Sequence, residues 1–209
     1  RKGSEQKAQD GMDMALCHLS PALSEGDGEP TRKPSPSIKR GSGGVSKWEA
    51  VGISKGQWVL EFAGANNPLY IFRKGIENSE LAKNDKIILF GESRPESNES
   101  PLNDDGWGGA EISGDKTPIG GDTHKFYDFT THKINLQKGD TIYMFSDGYH
   151  DQFGGAKGKK FMKKRFKQLL LDIVDKPMTE QKEILNKTIE DWKGITEQVD
   201  DILIIGVRV

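Results

Sequence analysis

The stretch Thr141-Ile142-Tyr143-Met144-Phe145-Ser146-Asp147-Gly148 decides the fold. Four of its first five residues are β-branched or aromatic, which favours a β-strand. The apolar run stops abruptly at Ser-Asp-Gly, and Asp-Gly is a typical turn sequence. The sequence therefore predicts a strand over 141–145 with Asp147 at its exit.

A second strand, predicted over 202–209, begins directly after Asp200 and Asp201. If the two strands are adjacent and antiparallel, the exit of one and the entry of the other lie at the same edge of a sheet. Carboxylates gathered there would suit Mg²⁺ or Mn²⁺, and Gly148 would let the backbone approach the ion or its waters closely. Asp-Gly and Asp-Asp are also ordinary turn sequences, so spacing alone leaves a purely structural role open.

The rest of the chain alternates apolar runs with turn residues until two helical patterns follow. A helix is predicted over 159–174 with Met162 in its apolar stripe, and a second from an N-cap at Thr179 to a stop at Gly194. Strands followed by two helices and a final strand predict an α+β domain, with the helices on one face of a mostly antiparallel sheet. The other strands are predicted at 12–19, 48–53 and 57–63 (as a hairpin), 69–72, 86–90 and within 125–135.

The composition of the 209 residues is at the low edge of the globular range, with 33% apolar residues and a mean hydropathy of −0.67. Two polar stretches, near 20–46 and 91–109, are predicted to be flexible insertions in one domain spanning 1–209. The net charge of −2 argues against a nucleic-acid partner. No apolar run is long enough to span a membrane. A single cysteine, Cys17, excludes an internal disulfide and suits a reducing cytoplasm.

The stretch 145–155 resembles the Ser-Asp-Gly motif of PPM-type (protein phosphatase 2C-like) metal-dependent serine/threonine phosphatases, and most closely the bacterial stage II sporulation protein E family. The stretch 199–204 resembles that family's closing Asp-Asp motif. Residues 10–16, 62–70 and 118–120 resemble three more of its landmarks. The five motifs come in the family's order.

The resemblance implies a four-layer α-β-β-α sandwich with a two-metal centre of Mn²⁺ or Mg²⁺ at one edge. Water activated there would attack phosphoserine or phosphothreonine directly, so no side-chain nucleophile is expected. Asp147 and Asp200 are implied to be ligands of the same metal, with Gly148 and Asp201 in supporting roles.

The sequence departs from the family at its first metal motif, an Asp with Gly-His-Gly that should precede Asp10. No histidine in the chain has a glycine neighbour, and the chain begins at Arg1 without Met. We expect a phosphatase domain lacking its N-terminal part rather than true loss of the bridging Asp. We therefore expect the chain alone to bind metal weakly and to show little catalysis. Uncovered sheet surface would favour a homodimer.

The hypothesis is a bacterial signalling phosphatase that acts on a phosphoprotein, for example an anti-sigma-factor antagonist, behind an upstream sensor or repeat domain. The alternative is a non-catalytic partner-binding module with a degenerate phosphatase fold. A weaker alternative is an unrelated Mg²⁺- or Ca²⁺-binding α+β protein. His150 is interpreted as a surface turn residue, with proton transfer as the alternative. The cations of 157–167 are interpreted as a solvated helix face, with an acidic partner or phosphate as the alternative.

Overall fold

The computed structural model describes residues 13–21, 58–91, 102–119 and 128–209. In chain order, the helices and strands of these ranges are β1 (Met14–Pro21), β2 (Trp58–Ala65), β3 (Leu69–Lys74), β4 (Ile87–Phe90), β5 (Trp107–Ile112), β6 (His132–Leu136), β7 (Thr141–Phe145), α1 (Gly148–Asp151), β8 (Phe153–Gly154), β9 (Lys159–Lys160), α2 (Lys163–Ile173), α3 (Met178–Lys193) and β10 (Ile204–Arg208). A three-stranded sheet of order β1-β2-β6 and a five-stranded sheet of order β10-β7-β3-β5-β4 are each fully antiparallel. A small β8-β9 pair forms a third sheet.

Alternating side chains of the five-stranded sheet build two hydrophobic cores. On β3, Leu69 and Ile71 join the core between the two sheets, whereas Tyr70 and Phe72 join the core under the helices. This follows from the two-residue period of a strand, which sends successive side chains to opposite faces. The described residues thus supply three of the four expected layers: helices, five-stranded sheet and three-stranded sheet.

Helices α2 and α3 cover the outer face of the larger sheet with their apolar stripes. Phe166 and Leu170 of α2, together with Leu185 and Ile189 of α3, are buried in the helix-side core. The four-residue spacing of each pair places its two members on one side of the helix. The helical pattern in the sequence therefore predicted this layer correctly, and Gly194 ends α3 with φ of 53°.

Four details of the sequence prediction were wrong. Helix α2 begins at 163 rather than 159 because β9 pairs with β8. Met162 lies just before α2 and is 58% exposed, so it is not a core residue. The N-cap of α3 is Pro177, not Thr179. The polar stretch was predicted to extend to 109, but it ends before Trp107, which begins a buried strand with hydrogen-bonded neighbours on both sides.

Several other predictions fall partly outside the described residues. The stretch 20–46 is described only at Ser20 and Pro21, which belong to β1. Residues 92–101 of the second polar stretch also lie outside. So does 48–53, the first half of the predicted hairpin. Both edges of β2, the second half, are occupied by β1 and β6.

A buried ion pair fixes the turn that leads into β7. Arg73 donates hydrogen bonds to both carboxylate oxygens of Asp140, at 2.9 and 2.6 Å, and both side chains are at most 4% exposed. The backbone N–H of Gln137 also donates to Asp140, and Arg73 also donates to the Asn135 carbonyl. A buried pair with this many partners keeps its charges satisfied, and so it holds the start of β7 in place.

Candidate metal centre

The exit of β7 and the entry of β10 meet at one end of the larger sheet, as the sequence predicted. The antiparallel register pairs Phe145 with Ile204. Beyond this pair, the N–H of Ser146 donates to the carbonyl of Leu203 at 3.0 Å. The segments that carry Asp147 and Asp200 therefore leave the sheet side by side.

Ser146 joins these two segments through its side chain. Its hydroxyl donates to the Asp201 carbonyl at 2.7 Å and accepts from the Leu203 N–H at 2.9 Å. One side chain thus satisfies a donor and an acceptor of the opposite segment. The sequence pattern predicted no role for Ser146 itself, although its place in the Ser-Asp-Gly motif was a usable signal.

Gly148 lies directly against the Asp-Asp segment. A Cβ atom placed on it would be 2.4 Å from the carbonyl oxygen of Asp201 and 3.2 Å from that of Asp200. Only a residue without a side chain permits this approach. The backbone at Gly148 therefore lies against the carbonyls of the second motif, and its expected close approach to a metal ion or its waters stays a prediction.

The three aspartates lie at the surface of this junction. Asp147, Asp200 and Asp201 are all exposed. Asp147 precedes α1 without making a side-chain capping bond, so its carboxylate is not committed to the helix. One carboxylate oxygen of Asp200 accepts from the N–H of Asp201 at 2.7 Å, and the Asp200 carbonyl accepts from Gln198.

The carboxylates of Asp147 and Asp200 fit a Mg²⁺ or Mn²⁺ ion that keeps several waters. Asp147 and Asp200 offer two exposed carboxylates, and Mg²⁺ is usually bound in proteins through one or two carboxylates plus water. In the described part of the chain, no group of three or more His, Cys, Asp or Glu side chains is placed to hold a metal. An ion held by Asp147 and Asp200 would therefore need waters to complete its coordination.

His150 is buried beside this junction, so its interpretation as a surface turn residue was wrong. It is 4% exposed and stacks on the ring of Phe166 at 6.3 Å between centroids. Burial lowers its pKa, Lys163 and Lys160 add to that effect, and Asp151 and Asp147 oppose it. Its Nδ1 has no hydrogen-bond partner within the described residues.

Gln152 connects α1 to the segment that leads into the Asp-Asp motif, and nothing in the sequence pattern signalled it. This fully buried side chain donates to the carbonyl of Glu197 at 3.0 Å and to that of Phe153 at 2.9 Å. The backbone carbonyl of Gln152 accepts from the backbone N–H of Phe161 and from the indole N–H of Trp192. One residue therefore joins the α1, β9, α3 and 194–201 segments.

A small cavity of about 210 Å³ opens between the two sheets at the same end of the fold. Asp13 and Asn67 line it from one sheet, and Ser146 and Leu203 from the other. The side chain of Asn66 donates to Asp13 at 2.7 Å, so the strand β1 and the turn after β2 meet at its rim. The 62–70 and 145–155 motifs therefore converge in space.

The family model for stage II sporulation protein E (SpoIIE) matches residues 102–209, which is just over half of the chain. The chain belongs to this family. The matched range includes both halves of the candidate metal centre, and the resemblance proposed from the sequence is confirmed.

Two solved structures of PP2C phosphatase domains are similar to this SpoIIE-family chain. The SiaA-PP2C domain of Pseudomonas aeruginosa matches with a TM-score of 0.51 and 26% identity, over 73% of this chain and 50% of its own. The PP2C phosphatase domain of SpoIIE from Bacillus subtilis, solved with a fragment of its regulatory domain, matches with a TM-score of 0.41 and 14% identity, over 73% and 37%. The chain thus spans half or less of these structures. No curated protein sequence matches it. The α+β sandwich of the phosphatase type is confirmed.

None of the helices in the described ranges is both long and apolar enough to cross a membrane.

Proposed function

We propose that this chain forms part of a bacterial serine/threonine protein phosphatase domain that acts on a phosphoprotein in cytoplasmic signalling. The observation that carries the proposal is the junction of β7 with β10, where the Ser146 hydroxyl bonds the Asp201 carbonyl. It brings the two family motifs together at one edge of the sheet. Membership of the SpoIIE family supports the same reaction class.

In this proposal Asp147 and Asp200 hold Mn²⁺ or Mg²⁺. The chemistry supplied by bound divalent ions is activation of a water nucleophile and neutralisation of charge on the phosphoryl group. Gly148 keeps the two segments in contact, and Ser146 orients the backbone that carries Asp201. These groups lie on the two short segments that follow β7 and precede β10, which hydrogen bond to each other.

Metal binding is tested by titrating the chain with Mn²⁺ and following the free ion by electron paramagnetic resonance. We expect Asp147→Asn and Asp200→Asn to weaken binding at least about tenfold, because each removes a charged ligand. Asp85→Asn is the matched control: Asp85 is also exposed, and it precedes β4, at the opposite edge of the larger sheet from β10. Equal binding by all four proteins would overturn the assignment.

Catalysis is tested with p-nitrophenyl phosphate and a phosphoserine peptide in Mn²⁺. We expect little turnover by these 209 residues, because no histidine in them has a glycine neighbour and the family's first metal motif is therefore missing. A longer protein that carries an upstream Asp and Gly-His-Gly is expected to be active. Robust turnover by the 209-residue chain would contradict the requirement for that motif.

A non-catalytic, partner-binding module with a degenerate phosphatase fold is the second candidate, because such a module would share the lack of an Asp with Gly-His-Gly in these 209 residues. The coding sequence upstream of Arg1 separates the two: an Asp with Gly-His-Gly supports the enzyme, and its absence supports the module. An anti-sigma-factor antagonist as substrate, an upstream sensor or repeat domain, and a homodimer remain predictions. The homodimer is tested by sizing the chain in solution, where a monomer would contradict it.

A further inference from the structure

The residues after α1 carry an unbalanced concentration of positive charge. Between Phe153 and Lys167 there are seven cations and no acidic residue, in a chain whose net charge is −2. We call residues 157–167 the basic segment. Its cations are Lys157, Lys159, Lys160, Lys163, Lys164, Arg165 and Lys167.

The fold places the basic segment against the candidate metal centre. The β8–β9 pair turns the chain back, so that the Phe161 N–H donates to the Gln152 carbonyl at 2.9 Å and the Met162 N–H donates to the His150 carbonyl at 2.8 Å. The segment therefore packs along α1, the short helix that begins one residue after Asp147. Lys163 and Asp147 both act electrostatically on the same imidazole, that of His150.

Three of the seven cations have partners. Lys160 pairs with Asp151 at 2.7 Å, and Lys167 pairs with Glu111 at 2.5 Å. Arg165 lies over the ring of Trp192 at 4.5 Å. These contacts fix the segment on the fold and leave a defined subset of the cations facing solvent.

The other four cations are exposed and have no acidic partner among the described residues: Lys157, Lys159, Lys163 and Lys164. Lys163 and Lys164 lie in the first turn of α2, whose N-cap residue makes no side-chain bond and whose first turn holds no acidic residue. Cations at the N-terminus of a helix oppose its dipole, whereas an anion there is stabilised. The arrangement is unfavourable for an isolated domain and complementary to an acidic ligand.

Apolar groups border these cations. Met162 is 58% exposed and Phe153 is 39% exposed, so the surface presents both charge and apolar contact area. Such a mixture is suited to a peptide segment, which can offer carboxylates and side-chain methylene groups together.

We propose that the basic segment docks an acidic stretch of the phosphoprotein substrate, next to the phosphorylated residue. This inference rests on the proposed function. It commits to a protein rather than a lipid ligand, because a membrane lying on this surface would cover the neighbouring Asp147 turn. The lysines would hold the flanking carboxylates while the phosphorylated side chain reaches the Asp147 junction.

The test measures binding of fluorescent peptides by anisotropy, in EDTA so that neither metal nor turnover contributes. The probes are a phosphoserine peptide flanked by Glu and Asp and the same phosphopeptide flanked by Ser and Gly. We expect the acidic probe to bind more tightly and to weaken as salt is raised, because exposed charges are screened.

The variants are Lys159→Glu, Lys163→Glu and Lys164→Glu combined. The matched control combines Lys83→Glu, Lys86→Glu and Lys138→Glu, which change the same charge at exposed positions elsewhere. We expect the first triple variant to weaken acidic-peptide binding about tenfold or more and the control to change it less than about twofold. A triple variant with Gln at Lys159, Lys163 and Lys164 removes the charges without reversing them. Thermal melting of each variant separates the effect of lost charge from that of lost folding.

Equal losses in both triple variants, or equal affinity for both peptides, would overturn the proposal. So would anionic phosphatidylserine vesicles binding through the basic segment while the acidic peptide does not. Because these measurements exclude metal, they fail or succeed independently of Mn²⁺ binding by Asp147 and Asp200. A failure of docking is thus distinguishable from a failure of the phosphatase assignment.

Discussion

The hydroxyl of Ser146 donates a hydrogen bond to the carbonyl of Asp201 at 2.7 Å across the ends of two adjacent strands. The same oxygen accepts from the Leu203 N–H at 2.9 Å. These bonds extend the β7–β10 ladder beyond its last strand pair, Phe145 with Ile204. The two motifs of the candidate metal centre are therefore held by a side chain as well as by the sheet.

Ser146→Ala should loosen this junction. The change leaves one donor and one acceptor without their partner, and we expect it to lower the free energy of unfolding by about 1 kcal/mol. Mn²⁺ affinity should fall severalfold. The matched control is Ser79→Ala, which removes a buried hydroxyl bonded to the Ile76 carbonyl, far from the site in sequence. The control should lose stability and keep its Mn²⁺ affinity, and a parallel loss of affinity in both would contradict a specific role for Ser146.

Gly148→Ala should separate the two motif segments. Its Cβ would lie 2.4 Å from the Asp201 carbonyl oxygen, and relieving that overlap should cost about 1–3 kcal/mol of stability. Chemical denaturation and Mn²⁺ titration measure the effect. Gly75→Ala is the comparison, because Gly75 has φ of 62° and open space around its Cβ position. It should lose about 1 kcal/mol through backbone strain alone and bind Mn²⁺ normally. Unchanged stability of Gly148→Ala would show that the close approach is not required.

Gln152→Met should free the segment that leads into Asp200. Methionine keeps the approximate shape but cannot donate to the Glu197 and Phe153 carbonyls, so a loss of about 1–3 kcal/mol is expected. Hydrogen exchange should rise over residues 194–203. Gln168→Met, which removes a side-chain bond to Asp172 on the exposed side of α2, should change neither measurement appreciably. Unaltered exchange in Gln152→Met would refute its role as a connector.

His150 should make stability depend on pH. Burial lowers its pKa below the ordinary value of 6.5, so between the two values the unfolded chain binds more protons than the folded one. Its contribution is therefore fully present above pH 6.5 and is lost as the pH falls through the folded pKa.

The pH effect of His150 is measured by urea denaturation from pH 8 to pH 5 in EDTA. His150→Gln should reduce the slope of stability against pH over the acidic part of this range. His132→Gln is the parallel variant, because burial also lowers the pKa of His132. It should remove a separate part of the slope. A wild-type slope retained in His150→Gln would contradict the burial effect.

The candidate site was predictable from sequence where local chemistry sufficed. The apolar run 141–145 and the Asp-Gly after it determined a strand with an acidic exit, and Asp200-Asp201 determined the matching entry. The sequence pattern gave wrong secondary structure where pairing with another strand, rather than local propensity, determined it. Lys159 and Lys160 have helical neighbours in sequence, but they form β9, which pairs with β8. Trp107 follows a polar stretch, but it pairs with Lys74 and begins β5, a strand with neighbours on both sides.

The sequence by itself determined most strands of the two larger sheets, the helices α2 and α3, the family and the two acidic motifs, because these depend on local periodicity and turn chemistry, whereas β5, β8, β9 and α1 were not predicted. Only the tertiary structure decided that His150 is buried, that Gln152 joins α1 to the 194–201 segment, and that four lysines of the basic segment have no acidic partner among the described residues. Each of these depends on contacts between segments tens of residues apart. Burial and hydrogen-bond partners are properties of that packing, and no local pattern encodes them.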